Sequence, residues 1–245
     1  FTLFLHMAAN LFDYVLVVKY ERNKGPAISY KFPQVIDVND EIAKAAPSFC
    51  FPEGQGNAVQ SKKETFSFTL TTGTGEKRFG YCRRFVSGSS EPECYCIVSQ
   101  NSSFSLFSNI LDIVEERRKS SNSAVFTFLK SLQAQSKPNP GERIVISTFS
   151  ATGASEPDKY ELKVPMHNEF LLDYISYAAL FKRLDIDKVI TLFECLLLES
   201  RTIFVSKKLS RLSECVNAAA AMLSPFSWQY VFIPVLPTSL LGYCC

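Results

Sequence analysis

The stretch ETFSFTLTTGTGEKRFGYCRRFV, residues 64–86, decides how the first half of the chain folds. Over residues 64–72 apolar and polar side chains alternate strictly, with Phe66, Phe68 and Leu70 on one face. A period of two is the signature of a β-strand with one buried face. The glycines of Gly73-Thr74-Gly75 reverse the chain, and residues 77–86 read as the partner strand. The loop GSSEPE then leads into CYCIVSQ (94–100), a third strand, so three successive antiparallel strands are predicted.

The pattern changes on both sides of this block. Upstream, FDYVLVVKY (12–20) is rich in β-branched and aromatic residues and reads as a strand. Lys24-Gly25-Pro26 is a turn, and AISYKFP (27–33) a second strand ending at Pro33. Asn39 is placed to cap a short helix running through Ala46 and stopped by Pro47. Downstream, Phe104, Phe107, Leu111 and Val114, with Ile110 beside them, form a helical stripe over 104–118. The basic end of EERRK falls in its last turn, where the helix dipole favours it. A second helix is predicted from about Ser123 to Gln135. The first half is therefore expected to be an α+β unit with helices on an antiparallel sheet.

Ser, Pro, Asn and Gly in SKPNPGE (136–142) mark a boundary. Beyond it, RIVISTF and YELKVP read as strands around a SATGASEPD loop, and DYISYAALFKRL as a helix. Another helix carries Ile186, Val189, Ile190, Phe193, Leu196 and Leu197. RTIFVS (201–206) reads as a short strand, Leu209 to Leu223 as a helix ended by Pro225, and WQYVFIPVLP (228–237) as a further strand. Helix, strand, helix, strand predicts parallel pairing by right-handed crossover, hence an α/β layer fold in the second half.

Composition excludes several classes. The 245 residues are 47% hydrophobic and 20% charged, enough apolar material for a packed core and too much for a disordered chain. A net charge of +2 argues against a dedicated nucleic-acid binder or a charge-driven membrane-surface protein. Two histidines exclude a His-rich metal site. The eight cysteines contain no C-x-x-C pair, which excludes zinc ribbons and thioredoxin-like motifs. Cys94 and Cys96 share one side of a strand and read as small packing residues in a reduced, cytosolic protein. Residues 215–245 carry no charge, but Pro225, Pro234, Pro237 and several polar residues interrupt them, so a buried helix and strand are expected rather than a membrane span. FTLFLHMAAN makes a poor signal peptide, and Cys244-Cys245 follows an apolar run rather than the flexible polar tail of a prenylation signal. The first residue is Phe, so the sequence reads as a fragment.

The search for bond-making chemistry returns little. GTGEKRFG (73–80) lacks the Lys and hydroxyl that a phosphate loop places after its last glycine. KRFGYCRRF resembles an RNA-stacking strand, but Arg78 stands where that motif has glycine, and the element order is wrong. There is no G-x-S-x-G elbow, and only His6 and His167 are present to serve as a base. Asp185 and Asp187 flank a helix start and read as caps. No catalytic residue, metal site or cofactor is assigned, and the composition points to work done by shape and contact.

Longer blocks carry a family resemblance. AAPSFCFPEG (45–54), ETFSFTLTTGTGEKRFGYCRRF (64–85) and CYCIVSQNSSFSLFSNILDIVEERR (94–118) resemble the upstream DENN region. ITLFECLLLESRTIFVSKKLSRLSECVNAAAAMLSPFSWQYVFIPVLP (190–237) resembles the central DENN region. The resemblance covers residues 10 to 245 and is strongest to the type 2 DENN proteins. It implies a longin-like upstream lobe over 10–136, followed by an α/β central lobe over 142–245 that stops before the block completing it. The uncharged tail is then core whose covering segment lies beyond Cys245.

The family's activity, by the same resemblance, is guanine-nucleotide exchange on Rab GTPases. The factor binds the Rab between two lobes and draws its switch regions away from nucleotide and Mg²⁺. Such a protein is not an enzyme of covalent chemistry, because it acts by stabilising the nucleotide-free partner. The resemblance implies a cytoplasmic protein that reaches vesicle or endosomal membranes transiently, through its partner. Candidate contact residues are Arg83 and Arg84, adjacent on a strand so that one points away from the core. Asp185 and Asp187 are candidates to face a basic GTPase surface. Phe226, Ser227, Trp228 and Gln229 lie where a helix gives way to a strand. The alternatives are a Rab-binding scaffold without exchange function and RNA binding through KRFGYCRRF.

Overall fold

The computed structural model describes residues 10–21, 23–34, 40–54, 63–85, 91–135, 139, 141–151, 155–164, 177–226 and 228–243. Five antiparallel strands form the central sheet: β1 (Tyr14–Glu21), β2 (Gly25–Phe32), β3 (Glu64–Thr71), β4 (Lys77–Phe85) and β5 (Glu93–Ser99). Their spatial order is β2-β1-β5-β4-β3, so the strand after the first helix lies at one edge and β5 pairs with β1 in the centre. The three-strand block of the sequence is present as β3-β4-β5, with Thr65 opposite Arg83 and Cys82 opposite Cys96.

Both faces of this sheet are covered, and strand alternation divides the core in two. Val15, Val17, Tyr81, Tyr95 and Ile97 face helices α2 (Phe104–Ser120) and α3 (Asn122–Gln133). Leu16, Val18, Phe66, Phe68, Cys82 and Cys96 face helix α1 (Glu41–Cys50). The α2 stripe is buried as its spacing predicts, through Phe107, Ile110, Leu111 and Val114. Asp40 caps α1, its Oδ1 accepting the N–H groups of Ile42 at 2.9 Å and Ala43 at 3.1 Å. The predicted cap Asn39 lies outside the described residues. Helix α1 also runs through Pro47 to Cys50 instead of stopping there, because Phe49 and Cys50 gain full burial against the sheet.

The second half differs from its expectation. Strands β6 (Arg143–Thr148) and β7 (Asp158–Lys163) form an antiparallel hairpin whose Ile144, Ile146 and Leu162 join the α2–α3 core. The hairpin beyond SKPNPGE thus shares the core of the first unit. Helices α4 (Tyr177–Phe181), α5 (Ile186–Leu197) and α6 (Leu209–Ala221) follow. RTIFVS and WQYVFIPVLP are not strands, and no parallel pair occurs among the described residues. Their apolar side chains suit a sheet, but a strand exists only where a neighbour takes its backbone hydrogen bonds. Ile203 and Val205 are instead 81% and 92% exposed.

Helix α6 joins the two halves. It lies along the open edge of β3, where unpaired backbone groups would otherwise face solvent. Ser213 Oγ accepts the Ser67 N–H at 3.3 Å, and Asn217 donates to Ser67 Oγ at 3.2 Å. Leu209 and Val235 enter the α1-side core.

Gly80 fixes the packing of β3 on β4. It faces Phe68 directly across the ladder, and a Cβ at Gly80 would stand 2.1 Å from that ring. Phe68 is buried against Phe49, with ring centroids 5.1 Å apart, and has nowhere to move. Gly80→Ala is expected to cost at least about 2 kcal/mol in urea denaturation. Gly73→Ala, with open space around its position, should stay within about 0.5 kcal/mol of the parent.

Candidate functional site

The two arginines singled out from sequence do point to opposite faces of β4, but both faces are interior. Arg83 is 3% exposed and Arg84 is fully buried. Arg83 meets Asp112 and Glu115 of α2, and its Nε donates to Thr65 at 3.0 Å. Arg84 forms a two-pronged pair with Glu53, at 2.8 and 3.0 Å, and donates to the Cys50 carbonyl at 2.9 Å. Its guanidinium also lies 4.8 Å from the centre of the Phe51 ring. Neither guanidinium is presented to a partner, which corrects that expectation: a strand in mid-sheet with helices on both sides has no open face. The RNA reading falls for the same reason. Tyr81 is stacked on Phe107 with its hydroxyl donating to the Asn101 carbonyl at 2.7 Å, so its ring is closed to bases.

The other candidates gather around α5. Asp185 and Asp187 are exposed at its N-terminal end. Asp185 holds the cap position without a side-chain capping bond and sits 3.5 Å from Lys188. At the opposite end of α5, Phe226, Trp228 and Gln229 line an open hollow of about 520 Å³, together with Leu196, Leu197 and Tyr230. Ser227 lies outside the described residues. Phe226 is 71% exposed, whereas Trp228 packs partly against the α4–α5–α6 core and donates its indole N–H to the Val231 carbonyl at 3.2 Å. Trp228 and Tyr230 meet edge to face at 5.5 Å. The acidic pair and the aromatic hollow are therefore separated by the length of one 12-residue helix, about 18 Å.

Glu199 shapes the rim of the hollow. It follows the α5 cap with φ of 55°, the left-handed conformation usually left to glycine. The Ser200 N–H reaches the Cys195 carbonyl at 2.8 Å and the Glu199 N–H reaches Leu196 at 3.1 Å, the paired bonds of a Schellman end. The Tyr230 hydroxyl donates to Glu199 Oε2 at 2.6 Å, and this hydrogen bond pushes the phenol above its ordinary range. Sequence reading missed Glu199 and Tyr230. The signal for Glu199 was its place at the end of the LLLES run, where a helix stops without a glycine.

The family model described as DENN (AEX-3) domain matches residues 90–245, and the one described as uDENN domain matches residues 26–85. This chain belongs to the DENN family. DENN domain-containing protein 2B of Mus musculus is 41% identical over 251 residues, covering 96% of this chain and 22% of the relative. Homo sapiens DENN domain-containing protein 2D is 34% identical over 253 residues, covering 96% and 53%. Mus musculus DENN domain-containing protein 2A is 37% identical over 252 residues, covering 96% and 25%. The chain thus spans between about a fifth and about a half of the length of these relatives. The two DENN matches meet between β4 and β5, inside one continuous sheet. Among the described residues, no helix is long and apolar enough to cross a membrane.

The strain at Glu199 gives a test of whether this rim is kept for binding. Glu199→Gly removes a left-handed non-glycine residue and should raise stability by about 1 kcal/mol in thermal or urea unfolding. It also removes the acceptor of Tyr230, so binding of a partner at the hollow should weaken while stability rises.

Proposed function

We propose that this DENN chain is part of a guanine-nucleotide exchange factor for a Rab-family small GTPase, acting in vesicle trafficking. The observation that carries the reading is family membership over most of the chain, joined to an exposed aromatic and apolar surface on α5 and residues 226–231. Large exposed apolar side chains beside polar groups suit protein contact. Asp185 and Asp187 supply acidic charge on the same helix for a basic GTPase surface, and Phe226, Ser227, Trp228 and Gln229 the contact at its far end. The central sheet with its helices is read as a longin-like lobe that the β6–β7 hairpin joins, and the segment from α4 onward as a contribution to the central lobe.

Exchange by such a protein is differential binding. A surface that fits the nucleotide-free GTPase better than the GDP-bound one shifts the equilibrium toward GDP release. No side chain acts as acid, base or nucleophile, and no cofactor takes part. The protein works in the cytoplasm and meets vesicle or endosomal membranes through its lipid-anchored partner.

Release of fluorescent GDP from a panel of Rab proteins, measured with the full DENN module, tests the reading. Acceleration on at least one member is expected, with a loss of tenfold or more in Phe226→Asp. No acceleration on any member overturns it. Tight binding with an unchanged GDP off-rate would select the scaffold reading instead.

A further inference from the structure

Three cysteines from three different elements converge in the core beneath α1. Cys50 ends α1, Cys82 lies in β4 and Cys96 in β5, directly opposite Cys82. All three are fully buried, and their sulfurs lie within 4.8 Å of one another. Cys50 Sγ and Cys82 Sγ are 3.8 Å apart. Cys94 lies on the same face of β5, its thiol directed to the Tyr95 carbonyl at 3.8 Å, outside the group of three close sulfurs. The Cys50–Cys82 spacing is that of two thiolates each about 2.3 Å from a tetrahedral zinc ion, which stand about 3.8 Å apart, and Cys96 lies within 4.8 Å of both.

We propose that Cys50, Cys82 and Cys96 form a three-thiolate zinc site that ties α1 to β4 and β5. Zinc suits it because the donors are all soft sulfur, the site is closed to water, and a d¹⁰ ion imposes no geometry of its own. Each ligand thiol gives its proton to solvent as its Zn–S bond forms, so three protons leave as three bonds are made. Three thiolates and Zn²⁺ leave one net negative charge. Arg84, paired with Glu53, lies beside the site and donates to the Cys50 carbonyl at 2.9 Å. Sequence reading gave Cys94 and Cys96 a packing role because free cysteine packs as a small hydrophobe, and Cys50 and Cys82 join them only through the fold.

The test is a Co²⁺ titration of the reduced, chelator-treated full chain, read by absorption and followed by Zn²⁺ displacement. The expected result is one equivalent of Co²⁺ with an intense thiolate charge-transfer band, abolished by one equivalent of Zn²⁺. Cys82→Ala and Cys96→Ala should lose the band and weaken Zn²⁺ binding on the order of 100-fold or more. Cys195→Ala, outside the cluster, should retain both. If the sulfurs only pack as small apolar groups, the wild type gives no band, and that result overturns the site even where an alanine variant fails to fold. A band that survives in folded Cys82→Ala also overturns it.

Discussion

The central constraint is a sheet buried on both faces whose interior strand β4 carries two adjacent arginines. Alternation sends Arg83 to one core and Arg84 to the other, and burial takes both guanidinium groups away from bulk solvent. A buried charge without a partner costs several kcal/mol. Each arginine is therefore matched by carboxylates from outside its own strand: Asp112 and Glu115 from α2, Glu53 from the segment after α1. These pairs fix where α2 and the α1 exit lie against the sheet. Arg117 does the same for the β6–β7 hairpin. Fully buried at the end of α2, it donates to the Ala124 carbonyl, Asp158 and the Phe149 carbonyl.

From this framework the division of labour follows. The sheet, α1, α2, α3 and the hairpin form a closed and internally neutralised body, and α6 seals its β3 edge. What remains open is on the other side of α6, where α5, Phe226, Tyr230 and Val231 expose aromatic and aliphatic side chains. In the proposed reading this surface makes the contact with the GTPase, and the closed body gives it a firm support. The Glu199–Tyr230 hydrogen bond at the rim, held in a strained backbone, fits a surface kept for binding rather than for stability.

Much of the first half was legible in the sequence because its patterns are local. The alternation in residues 64–72, the glycine turn after it and the α2 stripe each announce their element within a few residues. The cap moved by one position, from Asn39 to Asp40, and Pro47 failed to end α1 because burial of Phe49 and Cys50 outweighed one missing hydrogen bond. The second half was less legible. RTIFVS and WQYVFIPVLP have strand-like composition, but pairing depends on neighbours that no local pattern reveals. The fate of Arg83 and Arg84 was hidden for a related reason: strand period predicts opposite faces, and says nothing of helices covering both. Phe226, Trp228 and Gln229 were found by position at a helix end, whereas Leu196, Glu199 and Tyr230 come to the same hollow only through the fold.

Amide hydrogen exchange of the chain, with and without a nucleotide-free GTPase, tests the account most directly. The account predicts slow exchange across β4 and β5 in both states, with new protection gained only over residues 186–199 and 226–231. New protection over residues 77–85, or fast exchange of β4 in the free chain, would contradict it.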